Sequence, residues 1–97
     1  MRHLYLVAYD VSDDKRLRRV YRAMRGFGDP LQYSVFQCSL SDVERMKMEE
    51  TLRALLNLVE DRVMIVDIGP VAGRARVAFD FIGRRPEAEP ERDAVII

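Results

Sequence analysis

Cysteine, histidine and tryptophan are close to absent from this sequence, with one Cys, one His and no Trp in 97 residues. A lone thiol, Cys38, excludes an internal disulfide and suits a reducing compartment. On an apolar, β-prone segment it reads as a small buried residue. With His3 as the single imidazole, a metal site built from spaced Cys and His is excluded as well. Long apolar runs are also missing, and nothing approaches the roughly 20 residues that a bilayer-spanning helix needs. An acid, Asp10, interrupts the N-terminal apolar run where a signal peptide would continue. A cytoplasmic protein with no membrane partner is expected. Nor is there an excess of charge of one sign, since 16 Lys and Arg balance 16 Asp and Glu. Partners must therefore be read from where the charges sit. The length allows one domain with a single modest core, marginal enough that burial against a second copy would help.

What is present falls into alternating strand-like and helix-like segments. His3 to Val11 is a nearly continuous apolar strand, too uniform for one wet face, and hence an inner strand. Asp10 sits at its carboxyl end, where ligands commonly bind in open α/β sheets. Ser12 is placed as the N-cap of a helix, with Asp13 and Asp14 at its positive end. Leu17, Val20, Tyr21, Met24 and Phe27 then form one apolar stripe, and Gly26, Gly28 and Asp29-Pro30 end the helix. The segment 31–40 is β-rich and admits either one long bent strand or a strand pair kinked near Tyr33. Ser41 and Glu44 make a capping box. It opens a second helix whose buried face is read as Val43, Met46, Leu52, Leu55, Leu56 and Val59. Strands are expected over 62–68, stopped by Gly69-Pro70, and over 76–82.

That order of elements predicts an α+β domain over residues 1–83, with an antiparallel sheet and two helices on one face, ferredoxin-like. Residues 84–97 form a charged, proline-bearing tail. It ends in the β-prone Ala94-Val95-Ile96-Ile97, suited either to strand addition on a partner's sheet or to local docking.

Two features carry chemistry. Between positions 15 and 25 there are six cations and no acid: Lys15, Arg16, Arg18, Arg19, Arg22 and Arg25. At helical spacing Lys15, Arg18, Arg19 and Arg22 share a face opposite the apolar stripe, flanked by Arg16 and Arg25. Solvated faces normally mix signs, whereas this one sets like charges where they repel. Such a face fits a phosphate backbone. With no aromatic interleaved, it is not a base-stacking platform.

The second feature is Asp10. An Asp between a strand and a capped helix is more often a turn former than a ligand. Its apolar approach, implying a partly desolvated site, and the cationic helix that follows favour the ligand reading. Mg²⁺ is typically held by one or two carboxylates, waters and the substrate's own phosphates. Two Asp10 side chains meeting across a two-fold axis would supply the pair.

The segments Tyr5-Leu6-Val7-Ala8-Tyr9-Asp10-Val11-Ser12-Asp13-Asp14-Lys15-Arg16-Leu17-Arg18 and Gln32-Tyr33-Ser34-Val35-Phe36-Gln37-Cys38 resemble the family of CRISPR-associated protein 2, across residues 3–82. The resemblance implies a βαββαβ subunit with an additional C-terminal strand that crosses to the other subunit of a symmetric homodimer. It implies Mg²⁺ or another divalent cation between the two copies of Asp10. It also implies a part in spacer acquisition and antiviral defence beside the adaptation integrase. Its members are reported to act on single-stranded RNA, on double-stranded DNA, or on neither detectably. The metal aspartate of the family falls on Asp10, its neighbouring aromatic on Tyr9, its serine and phenylalanine on Ser34 and Phe36, and its helix arginines on Arg16 and Arg19.

The first expectation is therefore a metal-dependent endonuclease. Arg16 and Arg19 would stabilise transition-state charge, Ser34 would orient the carboxylate or a water, and Tyr9 and Phe36 would shape and dry the site. The bland alternative for both aromatics is plain core. Two other functions compete: a non-catalytic dimeric scaffold gripping duplex DNA and the integrase, and a toxin-type mRNA ribonuclease of related topology.

Overall fold

The computed structural model describes residues 1–72 and 79–86. Within them the chain runs β1 (His3–Asp10), α1 (Asp14–Met24), β2 (Asp29–Gln32), β3 (Val35–Leu40), α2 (Asp42–Leu55) and β4 (Arg62–Pro70). The four strands form one sheet in the order β2-β3-β1-β4, with every neighbouring pair antiparallel. This is the split-βαβ arrangement of a ferredoxin-like fold, and β1 is an inner strand as its unbroken apolar run requires. The β-rich segment resolves into a strand pair, with Tyr33 and Ser34 in the turn between β2 and β3. Pro30 falls inside β2, an edge strand, where a missing N–H is tolerated.

Alternation along β1 decides which side chains meet the helices. Tyr5, Val7 and Tyr9 point to the helical face, and Phe36, Cys38 and Leu40 of β3 join them. Together with Val20 and Met24 of α1 and Met48 and Leu52 of α2 they make the core. The opposite face carries Leu4, Leu6, Ala8 and Asp10 of β1, aligned with Val35 and Gln37 of β3 and with Arg62, Met64 and Val66 of β4. No helix among the described residues covers it. Exposure rises along it from Leu4, which is buried, to Asp10, Arg62 and Met64, which are exposed.

Local capping differs from the sequence expectation at α1. Asp13, not Ser12, is the N-cap, and its carboxylate accepts the Arg16 N–H at 2.9 Å. Ser12 is otherwise engaged, since its N–H and hydroxyl both donate to Asp61. The α2 capping box forms as expected, with Ser41 Oγ accepting the Glu44 N–H and Glu44 Oε1 accepting the Ser41 N–H.

The buried face of α2 is also different. Val43 and Met46 are each 58% exposed and Val59, beyond the helix, is 94% exposed. The inward row is Met48, Leu52 and Leu55, at i, i+4 and i+7, with Arg45 one turn before it. Arg45 lies over the Tyr5 ring at 4.9 Å and pairs with Glu49. A cation–π contact therefore occupies the first inward turn, where apolar spacing alone selects Val43 and Met46.

Of the strand expected over 76–82, residues 79–82 take no strand conformation and the remainder lies outside the described residues. So does the segment Ala94-Val95-Ile96-Ile97. No described helix is long and apolar enough to cross a membrane.

Candidate metal and phosphate site

Asp10 closes β1 on the helix-free face of the sheet, and its side chain is 78% exposed. The partly desolvated setting expected from the preceding apolar run is not found in one copy of the chain. Alternation explains this. The apolar residues that are fully buried, Tyr5, Val7 and Tyr9, lie on the other face. Among the described residues Asp10 has one ion pair, with its cross-strand neighbour Arg62, at 3.6 Å. Among the described residues no three His, Cys, Asp or Glu side chains converge as a metal-binding group. Asp10 has the hard oxygen chemistry that Mg²⁺ takes, but a single copy contributes one such carboxylate at this point.

The two residues after Asp10 are anchored from an unexpected direction. Asp61, immediately before β4, has a fully buried side chain. Its carboxylate accepts from Arg16 Nε at 2.6 Å and Nη2 at 2.9 Å, from the Ser12 N–H at 3.0 Å and from the Asn57 N–H at 2.9 Å. The Arg16 guanidinium, above all, holds this carboxyl well below the usual carboxylate range, with the two backbone N–H groups adding to it. Arg16 also reaches Glu60 at 3.3 Å.

The sequence expectation for Arg16 needs correcting on this point. Its guanidinium is committed to Asp61 and Glu60, not presented with the basic face. Asp61 itself escaped the sequence reading, because an acid before a strand carries no local mark of a partner 45 residues away.

The rest of the basic face stands as its spacing implies. Lys15, Arg18, Arg19, Arg22 and Arg25 are all exposed. Among the described residues none of the five forms an ion pair. The helix thus presents uncompensated positive charge to solvent, a few residues downstream of Asp10.

Tyr9 and Phe36 do not line a site with Asp10, a further correction. Both are core residues, 5% and 0% exposed, stacked at 6.2 Å on the helical face. The Tyr9 hydroxyl donates to the Tyr33 carbonyl at 2.9 Å. Burial, with lesser contributions from Tyr33 and Tyr21, pushes its ionisation far above the ordinary phenol range. Tyr21 extends this cluster, stacking on Tyr33 at 4.8 Å and meeting Phe36 edge-on at 5.5 Å.

Ser34 lies across from Tyr9, and its carbonyl accepts the Tyr9 N–H at 3.0 Å. Its hydroxyl is not brought against Asp10. Cys38 is fully buried and its thiol is pushed up to about 12 by burial, which makes it inert. His3, at the far end of β1, is bound to Asp67 at 2.9 Å.

Comparison with known proteins gives a consistent result. Residues 1–72 match the model of the family described as CRISPR associated protein Cas2. A relative from Geobacter sulfurreducens, named CRISPR-associated endoribonuclease Cas2, is 47% identical over 70 residues, 72% of this chain and 74% of its own length. Another from Rhodospirillum rubrum, of the same description, is 41% identical over 95 residues, 98% of this chain and 91% of its own. The crystal structure of Streptococcus pyogenes Cas2 superposes with a TM-score of 0.69 at 26% identity, covering 82% of this chain and 99% of that one.

Proposed function

The chain belongs to the CRISPR associated protein Cas2 family, and from that premise we propose that it is a divalent-metal-dependent endonuclease of the CRISPR adaptation machinery, working as a homodimer in the cytoplasm. The observation that carries this reading is Asp10. It is a solvent-facing carboxylate at a strand end, on the sheet face that no described helix covers, beside a helix whose five exposed cations have no ion pair among the described residues. The relatives' name, endoribonuclease, favours single-stranded RNA as substrate over double-stranded DNA. A part in spacer acquisition and antiviral defence, with residues 84–97 docking an adaptation integrase, belongs to the same proposal.

The helix-free face supports the dimer. It bears Leu6, Ala8, Met64 and Val66 in register, an apolar strip of the kind a second copy buries. Asp10 is at its rim, so two copies packed face to face would bring their Asp10 carboxylates toward one axis and withdraw them from water.

In the mechanism, Asp10 from each copy would hold Mg²⁺ or another divalent cation. When bound, that ion polarises a phosphoryl oxygen and lowers the pKa of a water. The chain supplies the rest. Lys15, Arg18, Arg22 and Arg25 seat the phosphate backbone by charge. Arg19, on the same exposed face, stabilises the negative charge that builds up at phosphorus. Arg16, tied to Asp61, acts only by fixing the first turn of α1. Tyr9 and Phe36 act from beneath, holding the end of β1 rigid against the helices, and Ser34 contributes its carbonyl to that same strand end.

The test is Asp10→Asn, which keeps size and removes charge. Loss of metal-dependent cleavage with nucleic-acid binding intact supports the enzyme. Unchanged cleavage refutes it.

A second reading, a non-catalytic scaffold for duplex DNA and the integrase, is favoured by the basic face alone, since that face is complete without Asp10. Under it the same variant would leave every measured function unaltered.

A further inference from the structure

Arg62 has no assigned role, yet among the described residues it is the cation that pairs with Asp10. The two are directly opposed in the β1–β4 register, on the helix-free face, with Nη2 3.6 Å from Oδ2. Both side chains are largely in water, 83% and 78% exposed. A pair so exposed is loosely held and easily exchanged for other partners. Its backbone is the opposite. Arg62 directly follows Asp61, whose carboxylate is fixed by Arg16, Ser12 and Asn57. An exposed guanidinium thus rises from a well-anchored backbone beside the candidate metal carboxylate. Arg16, the alternative cation at this end of α1, is committed elsewhere.

We propose that Arg62 is a phosphate-binding residue of this site, parked on Asp10 until a divalent cation takes the carboxylate. This rests on the metal role of Asp10 given above. A guanidinium offers a planar fork of donors that matches two phosphate oxygens, so once displaced from Asp10 it captures the nucleic-acid strand next to the metal. The arrangement also makes Arg62 and the metal rivals for one carboxylate. Metal binding must release Arg62, and Arg62 must weaken metal binding in the absence of substrate. A merely structural arginine has neither property.

The consequence is a pair of opposite effects in Arg62→Gln. Measured with Mn²⁺ alone and no nucleic acid, the variant binds the ion several-fold more tightly than the parent. Measured with a short single-stranded RNA in the presence of Ca²⁺, it binds RNA about tenfold more weakly, the expected loss of one bidentate charge-assisted contact, and with a shallower salt dependence. Arg62→Lys keeps the charge and recovers part of the RNA affinity but not all. Because the side chain is on the surface, both variants fold, and thermal unfolding verifies it.

Mn²⁺ affinity that is unchanged or weakened in Arg62→Gln, or RNA affinity that does not fall, overturns the proposal. Asp10→Asn measured in parallel separates the two levels. If that variant binds Mn²⁺ as the parent does, the metal role of Asp10 fails and the proposal with it. If it loses Mn²⁺ while Arg62→Gln behaves like the parent, only the role of Arg62 is refuted.

Discussion

Arg16 and Asp61 lie 45 positions apart in sequence and 2.6 Å apart in the fold. Their contact joins the first turn of α1 to the approach of β4, and through the Ser12 N–H it also holds the loop that leaves Asp10. A buried carboxylate with an arginine fork and two backbone donors is well satisfied. Removing either partner leaves the other desolvated and unpaired.

Asp61→Asn should therefore lower the melting temperature by several degrees, with Asp61→Ala worse. The pH dependence has a definite sign. The folded carboxyl is depressed, so its contribution is complete above the unfolded value near 4 and disappears as pH falls through the folded value below the usual carboxylate range. The gap in melting temperature between parent and Asp61→Asn should be constant near neutrality and close only in acid. A gap that narrows toward alkaline pH would contradict this origin.

Asp10→Asn is the opposite kind of substitution. Its surface ion pair contributes at most about 1 kcal/mol, so the unfolding free energy should scarcely change. Metal-dependent cleavage should fall by about a hundredfold or more, as for removal of a metal ligand. Denaturant titration and a cleavage assay on the same preparation read both quantities.

Reversing charge at Arg18 and Arg22 together tests the exposed face of α1. Among the described residues neither is paired, so Arg18→Glu with Arg22→Glu should leave the fold intact. Nucleic-acid affinity should drop in proportion across sequences, and the slope of log affinity against log salt should become shallower by roughly two contacts. An unchanged slope would remove this helix from the interface.

Gly28 tests the fold without touching the site. A Cβ there would lie 2.6 Å from Cys38 Sγ and closer still to the Gln37 carbonyl. The obstruction is the backbone of β3, which cannot move aside cheaply. Gly28→Ala should destabilise by about 1–3 kcal/mol, measured by denaturant unfolding. Stability equal to the parent would mean that this close approach does not exist in solution.

The fold was legible where local signals agree with packing. The unbroken apolar run of β1, the glycines just past α1 and the Ser41–Glu44 box each mark an element with little help from elsewhere. Two readings failed where a tertiary contact outranks periodicity. At α2 Arg45 lies over Tyr5 and Met48 turns inward, while Val43 and Met46 face water. At α1 the demand of Asp61 on Ser12 moves the cap one residue along. The site was half legible for the same reason. Asp10 and the exposed arginines announce themselves by position and spacing. Asp61 and Arg62 gain meaning only from Arg16 and Asp10, which the fold brings to them, and no short sequence window contains both members of either pair.

Tyr9 and Asp10 are consecutive, yet one is sealed against the helices and the other stands in water on the reverse side of the sheet. A single-residue insertion or deletion within β1, upstream of this point, would exchange them. The phenol would be driven outward and the acid inward, spoiling the interior and the exposed strand end at one stroke. This strand can thus drift by substitution, but its spacing cannot change by one.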